Sequence, residues 1–123
     1  MIVDAGRKQI AKLITGLQDN NESTPVAFKY VRVGDGGDNT SMSQTTLDSQ
    51  ISTHKVVTPI PVGNTLVYEI EFLGSELTSN VVSELGIFDA AEGGNMLCRV
   101  NFDPIGPLSA DETLTFSFRV EIE

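Results

Sequence analysis

The first hydrophobic pattern along the chain has the period of an amphipathic helix. Apolar residues near the N-terminus recur at helical spacing and share one side of a helical wheel, while the basic residues among them fall elsewhere. This apolar set consists of Val3, Ile10, Leu13, Ile14 and Leu17. Asp4 suits the N-cap, and Gly16 followed by a polar cluster suits the helix end. The pattern predicts a helix over about residues 3–17, with its apolar face packed against the domain's own sheet.

From Val26 onward the pattern changes to that of β-strands. Residues 26–33, VAFKYVRV, carry apolar side chains at both parities, which is typical of a strand covered on both faces. Residues 55–63, KVVTPIPVG, also predict an extended strand. Pro59 and Pro61 cannot donate to a ladder, however, and therefore place this strand at an edge or a bend.

The remaining strands alternate between apolar and polar positions or follow glycine-rich turns. One face of residues 66–72 is apolar, formed by Leu66, Tyr68, Ile70 and Phe72. Residues 81–89 and 96–102 form two further apolar segments. The clearest alternation is in residues 114–122, where the apolar positions are Leu114, Phe116, Phe118, Val120 and Ile122. This last strand is predicted to be central to the core.

Six short strands and one leading helix predict a mainly β fold, either an antiparallel β-sandwich or a sheet with one N-terminal α-helix. The 123 residues, 40% hydrophobic and 20% charged, have the size and composition of one domain. We therefore expect a single domain over residues 1–123, β-rich from residue 26 onward.

The charge balance argues against two classes of partner. Eight Lys and Arg residues against 17 Asp and Glu residues give a net charge of -9, which repels a phosphate backbone. No run approaches the roughly 20 apolar residues that a membrane span needs. The composition thus predicts neither nucleic-acid binding nor membrane insertion.

Candidate chemistry is sparse. Cys98 is the single cysteine, and strand parity places it on one face with Met96, Val100 and Phe102, so we expect a buried, unreactive thiol. His54, the single histidine, lies in a polar segment and is expected at the surface. A Cys98–His54 dyad would need both groups in one cleft, and no carboxylate pair is marked as an acid and base. We expect no enzyme activity, no catalytic or cofactor-binding residue, no metal site and no cofactor.

The stretch RVGDGGDNTS, residues 32–41, offers three interpretations: a phosphate cradle, a calcium loop or a turn that ends a strand. A P-loop needs Lys followed by Ser or Thr after its glycines, and an EF-hand needs alternating ligands with Glu at the twelfth position. Neither pattern is present around Gly36 and Gly37. Gly, Asp and Asn all tolerate positive φ, so the turn is favoured.

The order of these features resembles the N-terminal domain of bacteriophage tail-fibre and tail-collar proteins. The resemblance rests on Asp4-Ala5-Gly6 in the helix, on the turn motif Val33-Gly34-Asp35-Gly36 and on the strand motif Ser83-Glu84-Leu85-Gly86-Ile87-Phe88-Asp89. It spans residues 3–122. In the strand motif, Leu85 and Ile87 share one face, Phe88 takes the other, and Gly86 leaves room for a close neighbour.

The resemblance implies a structural virion protein of a phage tail, collar or baseplate that attaches tail fibres as an adaptor. Its implied partners are other tail or baseplate proteins and further copies of itself, with a trimer favoured. Its implied location is the tail of the virion, after assembly in the host cytoplasm. A free-standing adaptor, a contractile-injection particle component and an excised domain all remain open.

A second functional class is a stand-alone ligand- or carbohydrate-binding β-sandwich. Such sites usually display exposed aromatic side chains, and the chain has no Trp, 2 Tyr and 6 Phe residues, most of them on apolar strand faces. Residues 38–52 form the longest stretch without evident core residues, and long loops in compact domains are usually functional or disordered. We expect this loop, together with the helix or the sheet edges, to form the partner-binding surface.

Overall fold

The computed structural model describes residues 1–15 and 27–122. In these two ranges, one helix, α1 (Asp4–Thr15), precedes seven strands. The strands are β1 (Tyr30–Gly34), β2 (Lys55–Val56), β3 (Ile60–Val62), β4 (Thr65–Leu73), β5 (Val82–Phe88), β6 (Met96–Ile105) and β7 (Thr113–Glu121), with a 3-10 turn at Gly74–Glu76 after β4. Three residues of the predicted elements lie outside the described residues. They are Gly16 and Leu17, at the predicted helix end, and Val26, at the start of the first predicted strand.

The strands form two antiparallel sheets that share one core. The larger sheet has the order β2-β1-β5-β6 and the smaller has the order β3-β4-β7. Buried side chains from both sheets meet between them, including Val31, Leu85 and Ile87 from the larger sheet and Tyr68 and Ile70 from the smaller. The predicted mainly β fold with one N-terminal helix is confirmed, in its sandwich form.

The larger sheet is buried on both faces at β5. Every residue of β5 is buried, with Leu85 and Ile87 in the core between the sheets. Phe88 faces the opposite way, into a second cluster with Val3, Leu47 and Met96. The N-terminal segment and the loop after β1 supply this second cover, which explains why the strand motif is apolar at both parities.

The proline-containing segment does not form one strand. Its first part is β2, at the edge of the larger sheet, and its second part is β3, at the edge of the smaller sheet, with Pro59 between them. The prediction of an edge or a bend is confirmed on both counts. The segment carries the chain from one layer to the other.

The buried face of α1 agrees with the predicted one only in part. Leu13 and Ile14 are exposed, whereas Gln9 and Lys12 are buried. The reason is that Gly6 lies against the backbone of Leu97, where an added Cβ would come within 3.0 Å of carbonyl and Cα atoms. This approach turns the face that contains Gly6 toward β6. Of the predicted apolar set, Val3 is buried and Ile10 packs against the main core, whereas Leu13 and Ile14 are exposed at the edge of an apolar pocket.

The N-cap of α1 lies one residue earlier than predicted. Val3, rather than Asp4, accepts the first helical hydrogen bond, from the N–H of Arg7 at 3.0 Å. Val3 thus occupies the N-cap position. Its buried side chain anchors the helix in the second cluster.

Two strand predictions need correction. The apolar residues of β7 do face the core, but only Val120 is buried while Leu114 and Phe116 are half-buried, since β7 is an edge strand rather than a central one. In β6 the pairing shifts, with Ile87 opposite Cys98 but Phe88 opposite Met96. This bulge places Met96 in the second cluster and Cys98 in the main core, against simple parity.

Candidate functional site

The turn motif and the strand motif, 48 residues apart at Gly36 and Glu84, meet in space. Glu84 lies in β5 and its side chain is fully buried. One carboxylate oxygen accepts hydrogen bonds from the N–H groups of Gly36 and Ser49, both at 2.8 Å. The other accepts the N–H of Asp48 at 2.9 Å. A single buried carboxylate therefore joins both ends of the long loop, defined here as residues 35–50.

Arg99 of β6 neutralises this carboxylate and extends the network. Its Nε donates to Glu84 at 2.8 Å, and its side chain is also fully buried. The remaining guanidinium nitrogens donate to the carbonyl of Asp38, to the hydroxyl of Thr40 and to the carboxylate of Asp48, at 2.8 to 3.0 Å. The long loop is thus held at its start and its end by one buried ion pair with nearly every donor satisfied.

The glycine spacing in the turn motif follows from this packing. A Cβ at Gly34 or Gly36 would fall under 3.0 Å from the Glu84 carboxylate, whereas a Cβ at Gly37 would meet nothing within 4 Å. Neither Gly36 nor Gly37 has the positive φ that the turn interpretation anticipated. Close approach of a carboxylate to the backbone, rather than φ, is what requires glycine at position 36.

Hydrogen bonding governs the charge state of Glu84. Burial disfavours the charged form, but the bond from Arg99 and the three backbone N–H bonds outweigh it and lower the pKa of the Glu84 carboxyl. The carboxylate is ionised at neutral pH, with all its acceptor positions occupied and no access to solvent. This arrangement holds the long loop, and the two Glu84 oxygens are already committed to four donors.

A second arginine organises the turn after β5. The Arg32 guanidinium lies 3.8 Å from the centroid of the Phe88 ring and donates to the carbonyls of Ala90 and Gly93 at 2.7 and 3.1 Å. Burial lowers the pKa of Arg32. Asp89, the last residue of the strand motif, accepts two hydrogen bonds from Asn95 across the same turn.

The side chains considered for catalysis are not brought together. His54 is half-buried and stacks edge-on with Tyr30, at a centroid distance of 5.4 Å, beside the β2 edge. Cys98 is buried in β6, at the opposite edge of the same sheet, which is roughly 14 Å away across three strand spacings. Burial raises the pKa of the Cys98 thiol to about 12. The thiolate is therefore a negligible species at neutral pH.

Neither a metal-binding cluster nor a membrane-spanning helix occurs among the described residues. Residues 1–15 and 27–122 contain no group of three or more His, Cys, Asp or Glu side chains placed to hold a metal ion. In the same ranges, no helix has the length and apolar character needed to cross a membrane.

The long loop presents polar side chains outward while two apolar residues fix it inward. Leu47 and, just after the loop, Ile51 are buried, but Met42 is exposed together with most of the Ser and Thr side chains of residues 41–49. The Leu47 side chain packs over Gly86, where an added Cβ would lie 2.8 Å from the Leu47 Cδ2 atom. The predicted room at Gly86 is thus used by the loop.

Sequence reasoning missed the residues that position this loop. These residues are Glu84, Arg99 and Arg32, and each lies in a segment with apolar neighbours at both parities. That pattern could have indicated that the charged side chains are buried and paired. Their partners are loop backbone groups, which no spacing rule identifies. A scan against protein-family models and a search of curated proteins gave no match for the chain.

Proposed function

We propose that the chain is a structural protein of a phage tail, collar or baseplate that acts as an adaptor for tail fibres. The observation that carries this proposal is the contact between the turn motif and the strand motif, two of the three features on which the resemblance rests. Gly36 of the turn motif donates to Glu84 of the strand motif at 2.8 Å. A resemblance that includes two separate short motifs gains weight when residues of both motifs take part in the same buried hydrogen-bond network.

The chemistry of this device supports an assembly role. The buried Glu84–Arg99 pair has its donors and acceptors committed to the long loop. Such a pair fixes one backbone conformation rather than reacting with a ligand. The buried pair thus fixes the shape of the polar surface that the long loop presents. A structural protein binds its partner proteins through a surface of fixed shape.

The surface also carries apolar residues that suit protein contacts. Exposed large apolar side chains occur on the outward side of α1, on the long loop and on the edge strands β2 and β3. They are Leu13, Ile14, Met42, Val56, Ile60 and Val62. We propose that these positions belong to the contact areas through which an adaptor binds other proteins.

The aromatic side chains argue against the carbohydrate-binding alternative. All eight Tyr and Phe residues are buried or half-buried in the sandwich. Stacking on a sugar ring requires an open aromatic face. We therefore put forward the structural role alone.

The test is incorporation of the chain into tailed particles. A tagged chain should co-sediment with particles purified from a lysate in which it is produced. Thr45→Arg, on the exposed part of the long loop, should reduce this incorporation because it alters the contact surface without touching the Glu84 network. Ser75→Arg, on an exposed turn at another site, is the matched control and should incorporate like the parent.

Two results would contradict the proposal. A parent chain that folds but never co-sediments with particles removes the virion role. A Thr45→Arg variant that incorporates as fully as the control removes the long loop from the interface.

A further inference from the structure

Among the described strands, β7 presents the longest sheet edge that has neither a proline nor a paired neighbouring segment. At the other three edges, β2 has only two residues, β3 contains Pro61, and β6 is paired along part of its length with the N-terminal segment through Ile2 and Cys98. By contrast, β7 has nine residues, no proline and an unbroken register with β4. Natural proteins rarely leave a long regular edge strand open, because its free backbone groups pair with other chains.

The register identifies which backbone groups of β7 are free. Ile122 donates to the carbonyl of Asn64 at 2.9 Å, and Gly74 donates to the carbonyl of Glu112 at 2.8 Å. These bonds bracket the β4–β7 ladder and show that even-numbered residues of β7 bond to β4. In an antiparallel ladder the alternate residues then point their N–H and C=O groups the other way. Those residues are Thr113, Thr115, Ser117, Arg119 and Glu121, and within the described ranges no backbone group bonds to them from outside.

Half-buried apolar side chains lie along the same open side. Phe116 contacts Phe102 of β6, with ring centroids 5.7 Å apart, and Phe118 is likewise only half-buried. A groove of about 130 Å³ runs between the Phe118 end of β7 and the N-terminal residues Met1 and Ile2. A strand added to β7 would cover these side chains as well as bond to the backbone.

We propose that this edge binds the β7 edge of a second copy of the chain, in an antiparallel two-fold contact. Charge favours a second copy over a charged partner strand. The chain carries a net charge of -9, and Glu69 and Glu71 of β4 lie next to β7, but β7 itself contains one Arg and one Glu and has no net charge. Two copies therefore meet at a strand where their mutual repulsion is weak.

Full overlap of the two strands places Ser117 opposite Ser117 of the second copy. In this register Arg119 faces Thr115 and Glu121 faces Thr113, so no like charges are opposed within β7 itself. On the inner side Phe116 lies beside Phe118 of the second copy. The odd-numbered residues of both strands form roughly ten backbone hydrogen bonds, and the two smaller sheets become one continuous sheet.

This contact is independent of the virion assignment and has a different symmetry from the trimer that the resemblance implies. An isologous contact closes after two copies. Its presence is tested by solution mass alone, so its failure is distinguishable from failure of particle incorporation. The mass of the purified chain would be measured by sedimentation velocity from about 1 to 100 μM.

The decisive variant is Ser117→Pro. It removes the central outward N–H, which makes no bond to β4, so the fold tolerates proline at this edge position. We expect the parent and a Ser117→Ala control to have the mass of two chains, and Ser117→Pro to have a dimer dissociation constant at least about tenfold higher with an unchanged circular dichroism spectrum.

A charge pair provides an independent check in case the proline variant does not fold. Ser117→Lys and Ser117→Glu should each be mainly monomeric, because the axis places like charges opposite each other, and mixing them should restore a one-to-one dimer. A monomeric parent, a mass of three chains, a Ser117→Pro variant that remains dimeric, or charge variants that fail to pair on mixing would overturn the proposal.

Discussion

Replacing Glu84 by Gln tests whether the buried ion pair is what holds the long loop. The substitution preserves size but removes the charge and one of the two acceptor atoms. One Glu84 oxygen accepts the N–H groups of Gly36 and Ser49, and the other accepts Asp48 N–H and Arg99 Nε. In either orientation of the amide, its NH₂ group faces two donors.

The expected cost follows from the bonds lost. Two of four bonds to a charged acceptor disappear, at about 1.5 to 3 kcal/mol each, and Arg99 is left without its fully buried partner. This agrees with the roughly 3 to 5 kcal/mol measured for breaking buried ion pairs. Since small domains have a total stability of about 5 to 15 kcal/mol, a large part of the fold's stability is at stake.

Urea unfolding followed by circular dichroism gives the free energy, and hydrogen exchange at the amides of Gly36, Asp48 and Ser49 locates the effect. Glu71→Gln is the matched control, because Glu71 is an exposed residue of β4. Its midpoint should equal the parent's. If Glu84→Gln cost less than about 1 kcal/mol, with these amides still protected, the ion pair would not be what holds the loop.

The same residue gives the fold a defined acid sensitivity. The pKa of Glu84 is lowered from its ordinary value of 4.5 by Arg99 and the loop N–H groups, against the opposing effect of burial. A depressed folded-state pKa contributes stability that is fully present above the unfolded-state value and is lost as pH falls through the folded-state value. The parent should therefore lose stability below about pH 4.5 more steeply than Glu84→Gln, which lacks this titration.

Three further predictions concern single residues. Gly36→Ala should destabilise the fold because its Cβ would meet the Glu84 carboxylate, while Gly37→Ala, whose Cβ meets nothing, should melt at the parent's temperature; equal melting of the two variants would contradict the packing described. Phe116→Ala should lower the free energy of unfolding by about 2 kcal/mol, less than for a fully buried ring, because β7 lies at a sheet edge. A loss above about 4 kcal/mol in urea unfolding would show that Phe116 is central to the core after all. Cys98 should react with thiol reagents only after denaturant is added, and rapid labelling of the native protein would show that the thiol is accessible.

The sequence was most informative where the pattern is local. The alternation of β4 arises from one buried and one exposed face, so Tyr68, Ile70 and Phe72 could be assigned to the core directly. In the strand motif, Leu85 and Phe88 were likewise assigned to opposite faces from their parity, and they do lie in different clusters.

The sequence was least informative where two distant segments decide the outcome. The face that α1 buries depends on the approach of Gly6 to Leu97, which overrides part of the apolar pattern of the helix. The bulge that separates Met96 from Cys98 depends on pairing between β5 and β6. The burial of Glu84 depends on loop N–H groups that arrive from another part of the chain, so only the tertiary structure reveals it.

The most direct test of the assembly role is the location of the chain in an intact particle. Electron microscopy of tailed particles purified from a lysate that contains the chain, with gold-labelled antibody against it, should place the label at the collar, tail or baseplate. Label absent from the particles, with the folded chain recovered only in the soluble fraction, would contradict the account.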